Sequence, residues 1–352
     1  MKKTVNEKLV DWIRKKAETE YVDDIGIVAL YGSFVNGTAN PKSDVDCYFI
    51  PKTERGYQFA KTFILGDIGY DIFPMSWERI ENIVDLKESL LPLVADAKII
   101  YYNSEKDLQK FQNLQFKLKE NLKDKQMTYK IAEEKIKKAY DLYRCILHSE
   151  NLTLVRKNAG LIIMILADAV AFYNHTYYHY GLKRQFSDLK YLAPREICEE
   201  YLNVIYGKTI EEILFHCEMM IQNVCDYINT KIPEEEPEKI NEPKNSSVQA
   251  DFSASATLYE ELCSTFNKIY VCCKKEDVVL AYLSAVCLQE DLDYAHDCFG
   301  AKEYRVLQSF DAKDLGTLNR NTKKIENDFV NWIIEGKGII KKFDCFEELE
   351  QA

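Results

Sequence analysis

Apolar and polar positions form short, distinct patterns in the first hundred residues. The apolar run IGIVALYG ends in a glycine, which is typical of a buried strand followed by a turn. The segment DVDCYFI alternates between polar and apolar residues, which indicates a strand with one buried face. These two patterns and two later ones predict strands at residues 25–32, 44–50, 69–75 and 97–102. Helical spacing over residues 5–20 and 54–65 completes a small mixed α/β region.

From residue 104 onward, apolar residues recur at helical spacing and no strand pattern follows. One segment with three prolines, a block of acids and two serines interrupts this region, and such a composition is typical of a linker. We therefore predict an α+β protein in which a small mixed β-sheet domain is followed by all-α helical bundle domains. The predicted segments are a sheet domain at 1–103, a helical substrate-binding domain at 104–232, a linker at 233–251 and a C-terminal helical domain at 252–352.

The charge balance restricts the class of partner. The formal net charge of the 352-residue chain is −11, because 57 Asp and Glu residues outnumber 46 Lys and Arg residues. A protein that grips a long nucleic acid normally has a basic face, so we expect no such partner. The eleven cysteines contain no CxxC pair, and no apolar run approaches the ~20 residues of a membrane span. We therefore expect a cytoplasmic protein with reduced thiols and no membrane partner.

The segment YGSFVNGTANPKSDVDC, residues 31–47, carries the clearest chemical pattern. Asp44 and Asp46 are two apart on a predicted strand, so both carboxylates lie on one face, roughly 6 to 7 Å apart. Neighbouring carboxylates repel each other unless a cation lies between them, and Mg²⁺ prefers such oxygen ligands. Gly32 and Ser33 lead from the first strand into a predicted short helix, where backbone N–H groups bind phosphate oxygens. A nucleoside triphosphate requires both a phosphate site and a metal site.

A third carboxylate lies on the next predicted strand. Asp71 follows one predicted helical crossover, and Tyr70 and Ile72 point to the opposite face. If this strand pairs beside the second, the three acids can hold two metal ions roughly 3.5 to 4 Å apart, which stabilise both oxygens of a phosphoryl or nucleotidyl displacement. Asp67 is the neighbouring acid, but Gly66 and Asp67 are predicted to form the turn before the strand.

The combined pattern G-S-x-x-x-G-T-x-x-x-x-S-D-x-D, with an acid on the following strand, resembles the DNA polymerase β-like nucleotidyltransferase superfamily. The resemblance covers about residues 20–102. It implies triphosphate binding by Gly32 and Ser33, and catalysis and ligation of two Mg²⁺ ions by Asp44, Asp46 and Asp71, with the last as ligand or base. The chain length and the helical regions look most like antibiotic nucleotidyltransferases of the aminoglycoside and lincosamide type.

Two further residues are candidates for nucleotide binding. Ser43 precedes the acidic pair, and it either contacts the nucleotide or caps the turn before the strand. Lys183 and Arg184 follow a glycine that is predicted to end a helix. This basic pair either reaches a triphosphate or belongs to a solvated helix end.

These features predict a Mg²⁺-dependent nucleotidyltransferase. We expect it to transfer a nucleoside monophosphate from an NTP to a hydroxyl of a small acceptor and to release pyrophosphate. AMP from ATP is the expected donor group. The negative charge favours a cationic acceptor such as an aminoglycoside, which would give the enzyme a role in antibiotic resistance. We expect a monomer or a homodimer. The alternatives are AMP transfer to a protein hydroxyl, as in toxin–antitoxin-type relatives, and a nucleotide-binding protein without catalysis. The acceptor, the base of the NTP and the general base stay open.

Overall fold

The computed structural model describes residues 3–39, 42–232 and 249–351. The chain divides into two compact units. The first unit contains residues 1–123, 256–264 and 339–352, and the second contains residues 124–255 and 265–338. The predicted linker, residues 233–251, lies outside the described residues except for its last three. The boundaries of the four predicted segments remain predictions.

A mixed sheet of six strands forms the centre of the first unit. The strands are β1 (Ile25–Tyr31), β2 (Asp46–Pro51), β3 (Lys61–Leu65), β4 (Ile68–Pro74), β5 (Lys98–Tyr102) and β6 (Lys342–Phe343). Their order across the sheet is β5-β1-β2-β4-β3-β6. β2 runs parallel to β4 and β3 runs parallel to β6, whereas the other pairs are antiparallel. The four strands predicted from the sequence are therefore present, and the strand of Asp71 pairs beside the second as expected.

The predicted helix over residues 54–65 is wrong. A 3-10 helix occupies Glu54–Phe59, and β3 follows and forms an antiparallel hairpin with β4. The hairpin turns at Gly66, which has a positive φ of 66° that favours glycine. Over such a short stretch, the apolar residues of β3 fit a helical period as well as a strand. Asp71 therefore follows a hairpin and not a helical crossover.

Helices cover the sheet of the first unit. They are α1 (Val5–Thr19), α2 (Gly32–Val35), α3 (Trp77–Val84), α4 (Pro92–Ala95), α5 (Glu105–Lys123) and, at the C-terminal end, α14 (Phe346–Gln351). Leu9 and Ile13 of α1 pack into one core with Val28, Cys47 and Phe49 from one face of the sheet. A capping box at Thr4 begins α1 and satisfies its first backbone N–H groups. This face of the sheet is the structural one, which leaves the opposite face for the predicted acids.

The second unit is built from helices. They are α6 (Lys125–Ile146), α7 (Leu152–Tyr173), α8 (Leu182–Leu192), α9 (Arg195–Tyr206), α10 (Ile210–Ile228), most of α11 (Phe252–Lys274), α12 (Val278–Phe299) and α13 (Leu315–Glu335). A Cβ added to Gly160 on α7 would overlap Val286 on α12, so these helices pack closely at the glycine. Within the described ranges, the chain has no helix with the length and apolar character to cross a membrane. The α+β fold class is confirmed, although the C-terminal region predicted as all helical also contributes β6.

Candidate active site

Asp46 and Asp71 lie on neighbouring strands. The parallel pair β2–β4 aligns Cys47 with Ile72, so the preceding residues, Asp46 and Asp71, are next to each other across strands that are about 4.8 Å apart. On the other side of β2, Tyr31 at the end of β1 is the register partner of Asp46. The two predicted acids and a tyrosine therefore form a row at one end of the sheet.

The acids project from the face of the sheet opposite α1. Side chains alternate along a strand, and the intervening residues Val45, Cys47, Tyr70 and Ile72 belong to the core that α1 covers. The prediction that Tyr70 and Ile72 face away from Asp71 is thus confirmed.

Aromatic rings cover the sheet beside the acids on that same face. The ring centroids of Tyr31 and Tyr48 are 6.0 Å apart, and those of Tyr48 and Phe73 are 6.1 Å apart. The Tyr48 hydroxyl donates a hydrogen bond of 2.7 Å to the carbonyl oxygen of Leu93, which fixes its ring. The carboxylates are therefore supported by a rigid aromatic surface.

Asp44 lies two residues before Asp46, in a segment without regular secondary structure that precedes β2. Burial raises the pKa of the Tyr31 hydroxyl, and the negative charges of Asp46, Asp44 and Asp71, in that order, raise it further. All three carboxylates thus act on one hydroxyl group. The sequence did not point to Tyr31, because a tyrosine at the end of a buried strand is an ordinary core residue.

Asp71 is half-buried and accepts a hydrogen bond from Thr62. The hydroxyl Oγ1 of Thr62, its register partner on β3, donates a hydrogen bond of 3.0 Å to Oδ1 of Asp71. Burial raises the pKa of the Asp71 carboxyl, and the Thr62 hydrogen bond opposes this rise. Thr62 escaped the sequence prediction because its segment was predicted as a helix.

Gly32 forms the close turn that joins β1 to α2. Its φ is +70°, and a Cβ at this position would overlap the Asp46 carboxylate, with the Cγ atom 2.7 Å away. Glycine is therefore required twice here, by the backbone conformation and by the close approach of Asp46. Ser33 is the next residue of the short helix, and its carbonyl oxygen accepts a hydrogen bond of 3.0 Å from the Thr38 N–H. The predicted glycine turn is confirmed, whereas the short helix predicted over residues 34–38 instead begins at Gly32 and ends at Val35.

Ser43 is held in place through its backbone. The Asn6 side chain on α1 donates a hydrogen bond of 2.9 Å to the Ser43 carbonyl oxygen and accepts one of 2.7 Å from the Tyr70 hydroxyl. The segment before β2 is thereby connected to both α1 and β4. Asn6 carries no signal in the sequence, since a polar residue in the first turn of a helix is common.

Asp67, the acid that was predicted to lie in the turn before the strand of Asp71, does lie in that turn and forms an ion pair with Lys42.

Lys183 is the second residue of α8, in the second unit. Partial burial and the charges of Lys275 and Lys268 lower the pKa of its ammonium group. Its neighbour Arg184 forms an ion pair with Asp188 on the same helix. The nucleotide-binding roles of Lys183 and Ser43 remain predictions.

The donor set suits Mg²⁺, because carboxylate oxygens are the hard ligands that this ion prefers. The row of Asp46 and Asp71, with Asp44 acting on the same tyrosine, offers such oxygens at one end of the sheet. As they stand, no three His, Cys, Asp or Glu side chains in residues 3–39, 42–232 and 249–351 are close enough to enclose a metal ion. Metal ligation by the three aspartates therefore remains a prediction.

Comparisons with known proteins give a family match for the N-terminal part of the chain. The family described as "Nucleotidyltransferase domain" matches residues 10–147. No curated protein matches the chain. A solved structure of a nucleotidyltransferase-like protein from Exiguobacterium sibiricum is similar at 12% identity, covers 76% of this chain and 91% of its own, and has a TM-score of 0.35. The family match spans α1 from residue 10 onward, the sheet strands from β1 to β5 and the residues of the resemblance. Residues 10–147 therefore carry a nucleotidyltransferase domain of the DNA polymerase β-like type, which is the domain of an enzyme.

Proposed function

We propose that this enzyme transfers AMP from ATP to a hydroxyl group of a small acceptor and releases pyrophosphate. In this reaction the acceptor oxygen forms a bond to the α-phosphorus, the bond from that phosphorus to the bridging oxygen breaks, and the acceptor proton passes to a base. The observation that carries the proposal is the register that places Asp46 beside Asp71, with the Gly32 turn packed against Asp46.

Each site residue has a role that its position supports. Asp44, Asp46 and Asp71 would hold Mg²⁺, which when bound neutralises phosphate charge and stabilises the entering and leaving oxygens. Gly32 brings the backbone close to the acids, so the N–H groups of Gly32 and Ser33 are available to the phosphate oxygens beside them. Thr62 and Tyr31 would hold Asp71 and Asp46 in place.

The remaining nucleotide contacts are proposed for Ser43 and Lys183. Ser43 adjoins Asp44, and its backbone is fixed by Asn6. Lys183 is proposed because a lysine ammonium group binds phosphate oxygens.

The acceptor is proposed from charge. With a net charge of −11, the protein attracts cations more readily than anions, which favours an acceptor with amino groups such as an aminoglycoside antibiotic. Transfer to a protein hydroxyl and nucleotide binding without transfer are the two other outcomes that the experiment distinguishes.

The test is incubation of the full chain with α-labelled NTPs, Mg²⁺ and a panel of hydroxyl-bearing acceptors. We expect pyrophosphate and a labelled acceptor, and we expect Asp46→Asn and Asp71→Asn to abolish both. Asp67→Asn is the matched control, because it removes a carboxylate from the turn beside β4 that pairs with Lys42. Equal turnover in Asp46→Asn and Asp67→Asn would refute the assigned site. Label on a protein would support protein nucleotidylation, and NTP binding without product on any acceptor would support a non-catalytic role.

A further inference from the structure

Three segments that are distant in the sequence meet at the outer end of the β3–β4 hairpin. They are the hairpin itself, residues 256–264 of α11 and the C-terminal residues from 339 onward, all of which belong to the first unit. A Cβ on Gly69 of β4 would overlap the Glu260 carbonyl oxygen, so the backbones of β4 and α11 are in close contact there. The Ser264 hydroxyl donates a hydrogen bond of 2.9 Å to the Gly69 carbonyl oxygen. α11 therefore holds β4 two residues before Asp71.

Glu260 joins α11 to the C-terminal segment. Its side chain is fully buried, and its Oε1 accepts a hydrogen bond of 2.5 Å from the Lys341 backbone N–H. Its Oε2 has no hydrogen-bond partner among the described residues and is 3.9 Å from the Lys341 ammonium nitrogen. Burying a carboxylate costs free energy, and a buried charge is weak evidence for a stabilising role. What this carboxylate does is fix one peptide group of the C-terminal segment.

That peptide group is also bound to β3. The Lys341 carbonyl oxygen accepts a hydrogen bond of 2.8 Å from the Ile64 N–H, and the Phe343 carbonyl oxygen accepts one of 2.7 Å from the Gly66 N–H. β6 begins at the next residue and pairs with β3. Two residues before Ile64, on the same strand, Thr62 donates its hydrogen bond to Asp71. β3 is thus connected to Glu260 through Lys341, and β4 is connected through Ser264 to the helix that carries Glu260.

We propose that Glu260 is a positioning residue for the candidate active site: by binding the C-terminal segment to α11, which Ser264 in turn binds to β4, it sets the place of Asp71 beside Asp46. This inference rests on the proposed function, because Asp71 has to be a metal ligand for its position to matter. It assigns to the C-terminal segment a role in metal binding, although this segment lies more than 250 residues from Asp71 in the sequence.

The experiment compares four full-length proteins: wild type, Glu260→Ala, Glu260→Gln and Glu350→Gln. Glu260→Gln keeps an acceptor oxygen for the Lys341 N–H, whereas Glu260→Ala does not. Glu350→Gln removes one charge from an exposed residue of the same C-terminal segment and is the matched control. Two properties are measured on folded protein: the affinity for Mn²⁺ in the presence of a non-hydrolysable ATP analogue, and hydrogen exchange of the Ile64 and Gly66 amides.

We expect Glu260→Ala to weaken Mn²⁺ binding by about tenfold or more and to speed exchange of both amides, because loss of a group that orients a ligand typically lowers metal affinity about 10- to 100-fold. Glu260→Gln should stay within about threefold of wild type, and Glu350→Gln should match wild type. Unchanged Mn²⁺ affinity in folded Glu260→Ala would overturn the proposal, even if its melting temperature falls, because that result means a structural role alone.

If Glu260→Ala yields no folded protein, Ser264→Ala carries the test, since it removes only the hydrogen bond to Gly69. It should weaken Mn²⁺ binding in the same direction, and wild-type affinity in this variant would overturn the proposal. Wild-type protein that binds no Mn²⁺ would refute the proposed function, and the role of Glu260 in metal binding with it. Wild-type binding that Glu260→Ala leaves unchanged would refute the positioning role alone.

Discussion

Replacement of Gly32 by alanine tests the geometry of the site most directly. The added Cβ would lie 2.7 Å from Cγ of Asp46 and 3.2 Å from its Cβ, whereas carbon atoms normally approach to about 3.5 to 4.0 Å. The Asp46 side chain therefore has to move by roughly 1 Å to make room. Displacements of about 1 Å in a catalytic group reduce activity about 100-fold. We expect Gly32→Ala to lose about that factor in Mn²⁺–nucleotide affinity or in turnover.

The substitution also strains the backbone, and this effect has to be separated from the displacement of Asp46. Gly32 has a φ of +70°, and a residue with a Cβ in this region loses about 1 to 2 kcal/mol of stability. Gly66 has a nearly equal φ of +66°, but a Cβ there would meet nothing within 4 Å. Gly66→Ala is therefore a control that carries the same backbone strain without the overlap.

The assay has two parts. Urea unfolding measures the loss of stability in both variants, which we expect to be similar. Calorimetric titration measures the affinity for Mn²⁺ in the presence of a non-hydrolysable ATP analogue. Pyrophosphate release measures turnover of wild type and of both variants. A hundredfold loss in Gly32→Ala, which is about 2.7 kcal/mol, should stand against wild-type behaviour in Gly66→Ala. If the two variants bind and turn over equally, the contact between Gly32 and Asp46 has no part in the site.

Three other substitutions test separate parts of the structure. Burial raises the pKa of the Asp71 carboxyl, so its contribution to stability is present below the ordinary value of 3.8 and is lost as the pH rises through the raised value. Without divalent ions, Asp71→Asn should therefore be more stable than wild type at pH 7. Urea unfolding should show that this difference in stability shrinks towards pH 4. Thr62→Val removes the hydrogen bond that lowers this pKa, so the acidic limb of the pH–rate profile should shift to higher pH and Mn²⁺ affinity should fall about 10- to 100-fold; an unchanged limb would contradict the contact. Gly160→Ala should destabilise the second unit by about 1 to 2 kcal/mol despite the higher helix propensity of alanine, because its Cβ would overlap Val286, and Val286→Ala should restore part of the loss in a double-mutant cycle.

The central strands and acids were predictable because local patterns determine them. The alternation in residues 44–50 shows which side chains are buried, and the structure places Val45, Cys47 and Phe49 in the core as the pattern requires. The position of Asp71 followed from one assumption, that its strand pairs with β2, and this pairing is present. The turn at Gly32 was marked by glycine itself, since few other residues adopt a positive φ.

The parts that escaped prediction depend on contacts between distant segments. β6 has only two residues, so it has no alternation to detect, and it is a strand only because β3 offers an open edge. Glu260 occupies a helix with polar neighbours, and nothing in that pattern distinguishes it from an exposed glutamate. Thr62 was hidden by the false helix over residues 54–65. In each case the partner that gives the residue its role lies far away in the sequence or in a misassigned element.

At Asp71, a residue that local sequence predicts depends on contacts that local sequence does not predict. Its side chain is half-buried, its pKa is raised by burial, and the hydrogen bond that it accepts comes from the neutral hydroxyl of Thr62. A carboxylate in this setting opposes folding at neutral pH unless a cation compensates its charge, so the protein has to hold it there by other contacts. Those contacts come from β3 and β4, which are connected in turn to α11 and to the C-terminal segment through Ser264 and Lys341. Asp71, which the local sequence identifies, is therefore held in its unfavourable place by α11 and the C-terminal segment, which the local sequence does not reveal. This gives a physical reason for the pairing of β6 with β3 in the sheet of the first unit.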